Sequence, residues 1–506
     1  MIAPLKQPLR SEIAQHHQAT LDAAAAALRA RRERRGAWLA AALGFFALMP
    51  YAAISAGNNS SIQFGNLLTI VMAVPTLLLS WRYRSLWFYP LLMAPLVIGM
   101  FKVALAGNGD LSLTFKAVLV WFVVALTIVA AQLYAPRHTL AMLTGMAVAT
   151  IIHAGVGVWQ WYAFDNGEFP MLWAYTTNPS FLSVEQYART IARYTQRPFG
   201  IFPEPSAMSS SLAPWVLFWI AHLTGVIRLR QRAAAWQNAL FAAAAVGGLG
   251  LIILSRSGHS AITLAAAMTF GIIWLTRCRA TFRTFVVLAG VFGVIAPIVI
   301  YLAFIALSDR LFGASAMGNS SWEERSSSLV IGFSLWVDHG LIPLFFGIGP
   351  GQTTPILQRV YHLEAIWSVL LTYVYETGLI GAVVLCWLGT YLGRIWKSLR
   401  FDLTFAAITV VWLVGATVTT SYNELLSLWL TLGWLTVWPQ ICEPAPAKAL
   451  WQPRPRLARA AREPARTKTA LPAGSLAPRR PPAAPRALPP QQRWTDGAEG
   501  TSTELS

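Results

Sequence analysis

Arginines and acid/base groups gather in two polar stretches, residues 308–365 and 165–208, of an otherwise apolar chain. The first holds Arg310, Glu323, Glu324, Arg325, Asp338, His339, Arg359, His362 and Glu364, with the glycine-rich turn Gly347 to Gly351. The second holds Arg189, Arg193, Arg197 and Glu204. The planar fork of arginine pairs bidentately with phosphate oxygens in charge-assisted bonds, so such a set suits a lipid-linked diphosphate. Ion pairing with Asp309, Glu323, Glu324 and Glu364, or contact with lipid headgroups, is the other reading. Arg189, Arg193 and Arg197 recur every fourth residue, which puts them on one stripe if the segment is helical. Like charges on one stripe repel, and an anionic ligand relieves them.

The sharpest local string runs from Arg197 to Ser206, RPFGIFPEPS. Its prolines and glycine fix a rigid turn that holds Arg197 and Glu204 just ahead of an apolar run. Alternatively, Pro203 and Pro205 only start the next helix and Glu204 sits at its positive end. Asp338 and His339 form a supporting pair or cap a helix. The Gly347–Gly351 turn lacks the lysine and Ser/Thr of a P-loop, so it reads as a sharp backbone turn beside the ligand. Glu376 lies inside an apolar run and is expected to face protein or a water-filled cleft.

The elements that must position these groups follow from composition. Of 506 residues, 56% are hydrophobic and 12% charged, which excludes an ordinary soluble globular chain. The expected fold is an all-α polytopic membrane protein with about twelve transmembrane helices, each long enough to cross the hydrocarbon core. The apolar runs are 36–55, 66–81, 86–106, 115–134, 140–164, 209–227, 238–254, 260–275, 285–307, 367–392, 403–420 and 425–441. Basic clusters fall in every second connection, which places them inside and both long polar loops outside. That layout is a multi-pass protein of a bacterial cytoplasmic (inner) membrane with both termini cytoplasmic. The apolar stretch 329–348 would break the alternation and is expected to be re-entrant or interfacial.

Three regions result: a basic N-terminal helix over 1–35, a transmembrane domain over 36–442, and a Pro/Ala/Arg-rich tail over 443–506 whose composition predicts disorder. The net charge of +18 belongs mostly to loops and tails facing anionic headgroups, so the lipid bilayer is an expected partner and nucleic acid is not. The three cysteines, Cys278, Cys386 and Cys442, offer no metal-ligand spacing. No metal or cofactor is expected.

Arg197 with Gly200 and the Glu204-Pro205-Ser206 turn, then Leu254 to Ser257 (LSRS), then Arg325 and Phe345 to Gly351 (FFGIGPG), then His362 and Tyr375 to Gly381 (YETGLIG), occur in that order. This order resembles the O-antigen ligase and O-antigen or exopolysaccharide polymerase superfamily of bacterial membrane glycosyltransferases, over residues 194–381. The resemblance implies a GT-C-like fold with two long extracytoplasmic loops. It implies metal-independent transfer of glycan repeat units from an undecaprenyl-diphosphate-linked donor to a glycan acceptor at the outer membrane face. Lipid A core is the acceptor in the ligase alternative. A chain-length regulator is a further candidate partner. By position, Arg197, Arg256 and Arg325 would hold the diphosphate, with Arg193, Asp338 and His339 in support. Glu204 stands where many ligases carry an asparagine-containing turn, which favours the polymerase branch.

The chemistry is consistent with those roles. A departing diphosphate needs fixed cations aimed at its developing charge. The acceptor hydroxyl needs a base, with His362 first and Glu204 second. A transporter of lipid-linked glycan is the competing class, because twelve crossings with both ends inside is also a carrier layout. Carriers place acidic residues or broken helices near the midplane, where this sequence offers only Glu376.

Overall fold

A computed structural model describes residues 7–57, 60–79, 88–107, 109–170, 197–257, 263–270, 316–338, 340–361, 366–399, 402–419 and 425–443. All of these lie in one compact unit, Met1–Leu450; the second unit, Trp451–Ser506, lies outside the described residues, as does the expected tail beyond Glu443.

Helix α1 runs from Gln7 to Ala47, so the boundary expected at 35/36 falls inside one continuous helix. A two-stranded antiparallel hairpin, β1 (Ala53–Gly57) and β2 (Ser60–Gln63), leads to α2 (Phe64–Leu79) and α3 (Phe88–Ala106). Helix α4, Leu111–Asp165, starts where the Asp110 carboxylate accepts from the Ser112 and Leu113 amides, satisfying two of the donors every helix start leaves over. It is 55 residues long, which would be roughly 80 Å if straight. It is not uniformly helical. His138, two residues after Pro136, has φ −124° and ψ 35° and interrupts the helical geometry.

After α4 come α5 (Pro205–Leu223), the short strand β3 (Arg228–Leu229) and α6 (Ala235–Leu254). Then follow α7 (Ala316–Asp338), α8 (Leu341–Phe346) and α9 (Thr353–Ile356), which continues into a π-turn over Leu357–Tyr361. The last elements are α10 (Val369–Ser398), α11 (Leu403–Val414), α12 (Leu426–Thr436), α13 (Trp438–Ile441) and β4 (Cys442–Glu443), whose strand pairs with β3.

Close packing organises the bundle. α1 crosses α4 through glycines: a Cβ on Gly145 would lie 1.9 Å from the Ala41 carbonyl oxygen, and one on Gly44 2.3 Å from that of Met142. Small residues thus bring two backbones into contact. Every residue of α12 is buried, and α5 is buried from Pro205 through Trp219. Helices apolar on all sides occupy the core of a bundle. Trp434 of α12 meets Trp215 and Phe218 of α5 edge-on at 5.3 and 5.7 Å, and Trp121 of α4 lies 5.3 Å from Trp429. Ser427 donates to Ser211 at 2.7 Å, and Gln132 to Thr436 at 3.0 Å, so these polar groups of the core are paired between helices.

The twelve-span, GT-C-like expectation is corrected here. Among the described residues, three helices are long and apolar enough to cross a membrane: α4, α6 and α10. Other apolar runs form elements too short to do so, such as the 12-residue α11 and the 11-residue α12. The runs at 115–134 and 140–164 fall in one interrupted helix. The physical reason is that apolarity along a sequence does not say what it faces. In α12 and much of α5 it faces other helices. The multi-pass inner-membrane layout with both termini cytoplasmic falls with this count, because it depended on alternating crossings. The stretch 329–348 forms the end of α7 and all of α8, joined at Gly340.

Candidate functional site

The turn that carries Arg197 and Glu204 is built against α4. Gln160 Oε1 accepts from the Phe199 and Gly200 amides at 3.0 and 2.9 Å, and its Nε2 donates to the Gly200 carbonyl at 2.8 Å. His153 lies two turns earlier on the same face. Its Nδ1 accepts from the Ile201 amide at 3.0 Å, so Nε2 carries the hydrogen and donates to the Leu48 carbonyl at 2.6 Å. Its ring lies 4.5 Å from that of Phe202. Gly200 has φ +59°, and a Cβ there would come 2.9 Å from His153 Nδ1, so no larger residue fits this passage.

Glu204 is the N-cap residue of α5, with Pro205 following at the first helical position. Its buried carboxylate accepts a hydrogen bond from Ser206 Oγ. Both sequence readings of this string hold part of the truth: the prolines do begin a helix, and the turn is also held rigidly.

Arg197 reaches the end of α6. Its Nε donates to the Ser255 carbonyl at 3.2 Å. Ser255 Oγ is 3.1 Å from Ser209 Oγ and donates to the Ile252 carbonyl at 2.7 Å, while Ser257 Oγ donates to Ser209 at 2.6 Å. The next residue after Ser255 is Arg256, with φ 50°, the single non-glycine positive φ among the described residues. Arg256 is exposed, and its guanidinium meets no hydrogen-bond or ion-pair partner among the described residues. Two arginines are therefore gathered at one serine-lined helix end.

The remaining expected site residues are not brought there by anything described. Arg325 lies on α7, and its side chain is outside the described residues. Arg193, His339 and His362 also lie outside them. Asp338 is exposed as the last residue of α7, and the N-cap of α8 is Gly340 rather than Asp338. Among the described residues no group of three or more His, Cys, Asp or Glu is placed to hold a metal ion.

A second polar constellation surrounds Glu376. Helix α10 breaks at Gly378, φ 70° and ψ −158°. The carbonyls released by the break accept from the glycine turn: Tyr375 O from the Ile348 amide and Glu376 O from the Gly349 amide, both at 3.1 Å. Glu376 Oε1 accepts from the Gly351 amide at 2.9 Å and from Thr353 Oγ1 at 3.0 Å. Lys102 Nζ donates to the Gly347 carbonyl, and Gln352 donates to the Asp110 carbonyl and Thr114 Oγ1. The turn clasps the break in α10. Glu376 faces protein, as one of its two sequence readings has it.

Sequence reading missed Gln160, His153, Ser209 and Lys102. The signal for the first two was present: a glutamine and a histidine seven apart lie on one helical face of an apolar run. Nothing local marks Lys102, because its partner is remote in sequence.

No protein-family model matches the chain, and no curated protein matches it. The resemblance to O-antigen ligases and polymerases is corrected on this ground together with the span count. The glycosyltransferase activity and the exopolysaccharide or lipopolysaccharide role that it implied are not retained, and the transporter alternative loses the twelve crossings it rested on. The motifs behind the resemblance have local structural causes. RPFG is the turn gripped by Gln160, Ser-Arg-Ser is the end of α6, and the glycine string with YETG is the α10 clasp. Glycine, arginine and serine recur at helix ends for such reasons. What the fold defines is a predominantly helical protein with three candidate membrane-crossing helices among its described residues.

Proposed function

We propose that this protein binds a phosphate-bearing amphiphile, with the diphosphate of a lipid-linked glycan carrier as the ligand, and that Arg197 and Arg256 hold the anion. One observation carries the reading: Arg256 occupies the left-handed position just past a helix end. Glycine is the residue that takes this position without strain, and a side chain there costs on the order of 1 kcal/mol. Here the residue is arginine, it is exposed, and it directly follows Ser255, whose carbonyl accepts from Arg197. Cationic forks are what phosphate oxygens accept from. Arg193, on the same run as Arg197, and Arg325 are the proposed reserve of positive charge. The proposal is of binding alone.

Titration of the purified protein with farnesyl diphosphate, a short soluble polyprenyl diphosphate, tests it. Saturable binding that weakens by roughly tenfold or more in Arg256→Ala is expected, since a hydrogen bond to a charged group contributes about 1.5–3 kcal/mol. Equal binding of farnesyl diphosphate and farnesol, or no change in Arg256→Ala and Arg197→Ala, overturns it.

A further inference from the structure

A different end of the bundle carries a different chemistry. Arg256 follows α6 and Arg232 precedes it, and the 20-residue helix between puts the two about 30 Å apart. Around Arg232 the described basic residues converge from separate elements. Gly36 of α1 lies against the His138 ring at the α4 interruption, which seats the Arg29–Arg35 run beside Arg137. Gln231 bonds the Arg137 carbonyl at 2.7 Å and the Leu140 amide at 3.3 Å, which draws the β3 segment to the same place. Arg230 donates to the Pro439 carbonyl at 3.0 Å, and the β3–β4 pairing aligns Arg228 with Glu443. Asp402 and Arg230 both act electrostatically on Cys442, and Trp396 donates to the Asp402 carbonyl at 3.1 Å, which adds Arg394 and Lys397. The acids among these described neighbours are Glu33, Asp402 and Glu443, and Glu33 meets His138 at 3.9 Å.

Interleaved with the charges are exposed tryptophans. Trp38, three residues after Arg35, is 78% exposed, and Trp236, just after Arg232, is 61% exposed. A large aromatic with no packing partner is costly in water and is favourable at a bilayer's headgroup boundary, where one face is apolar and the other wet. A basic rim without such aromatics would fit any polyanion. At the end of an apolar bundle, the combination favours an anionic lipid surface.

We infer that this rim is a seat for anionic phospholipid headgroups: the arginines and lysine contact the phosphates, and Trp38 and Trp236 enter the boundary beneath them. It is independent of the Arg197/Arg256 reading. Each basic residue at an anionic surface is worth roughly fivefold in binding.

The test uses the full chain purified in detergent and titrated with phosphatidylglycerol or phosphatidylcholine, with retained lipid read by native mass spectrometry. Phosphatidylglycerol is expected to be retained preferentially, and the preference is expected to fall by roughly tenfold or more in R34Q/R35Q/R137Q/R394Q. These side chains are exposed, so the fold is not at stake, and the matching lysine variant is expected to keep the preference because charge alone is needed. K116Q, at an exposed lysine 21 residues before Arg137 on α4, is expected to leave it unchanged. Brominated phosphatidylglycerol should quench tryptophan emission less in W38F/W236F than in the parent. Equal retention of both lipids, or full retention by the quadruple glutamine variant, overturns the inference. So does an RNA that displaces phosphatidylglycerol while quenching is the same in parent and W38F/W236F, which would make the rim a nucleic-acid surface.

Discussion

Gln160 grips Gly200 at both ends of one residue, its Oε1 taking the amide hydrogen at 2.9 Å and its Nε2 giving one to the carbonyl at 2.8 Å. The Phe199 amide shares the same oxygen. This is the joint between α4 and the turn that presents Arg197. Gln160→Ala removes the side-chain bonds to two buried amides and a carbonyl, each loss costing about 1–3 kcal/mol if water does not enter. Denaturant unfolding is expected to show a loss of several kcal/mol, and Gln160→Glu a smaller one, since the carboxylate still accepts from both amides. An unchanged midpoint in Gln160→Ala would remove the joint from the account.

Glu376 is expected to show a graded series. Glutamine keeps the oxygen that accepts from Gly351 N and Thr353 Oγ1, whereas alanine orphans both donors. Thermal unfolding should therefore order the variants wild type, Glu376→Gln, Glu376→Ala, with the alanine change costing about 2–4 kcal/mol. Glutamine and alanine behaving alike would mean that charge rather than hydrogen bonding matters there.

Arg256→Gly separates stability from binding. Glycine takes the left-handed backbone at no steric cost, so stability is expected to rise by up to about 1 kcal/mol while affinity for farnesyl diphosphate falls as in Arg256→Ala. A paired unfolding and titration measurement checks this. Stability and affinity falling together would argue that Arg256 serves the fold.

Cys442 and Cys386 should differ in reactivity. Cys442 is fully buried, and burial, with Asp402 beside it, pushes its thiol well above the ordinary range, while Cys386 is exposed. A maleimide should label Cys386 in the folded protein and Cys442 only on unfolding. The pH dependence has a definite sign. A thiol whose folded pKa is raised contributes stability that is complete below its unfolded pKa and is lost as pH rises from there towards the folded value. Stability of the parent should fall at alkaline pH more steeply than that of Cys442→Ala.

How far the sequence could be read is clearest at α12 and at Glu376. The apolar run over 425–441 was visible, and most of it is helical; that it packs against α5 and α4 on every side was not, because hydropathy records composition and not neighbours. The capping of α4 by Asp110 and the start of α5 after Glu204 are local, and Pro205 at the first helical position was legible for that reason. Glu376 could be singled out as a carboxylate in an apolar run. Its partners Gly351 and Thr353 could not, since they come from another segment whose own spacing says only that it turns. Arg197 and Arg256 could be grouped as candidates by expected sidedness and by a motif order, but the Ser255 carbonyl that joins them leaves no trace in spacing.

The reciprocal fit of Gly347 and Gly378 ties the turn to the break in α10. A Cβ on Gly347 would lie 2.1 Å from the Glu376 carbonyl oxygen, and one on Gly378 2.4 Å from the Gly347 amide nitrogen. The Tyr375 and Glu376 carbonyls bond the Ile348 and Gly349 amides only once the 347–351 turn has arrived. Before then the cheapest state for those carbonyls is an uninterrupted α10. The break in α10 and the docked turn therefore require each other: without the turn, those carbonyls are satisfied only by an uninterrupted helix.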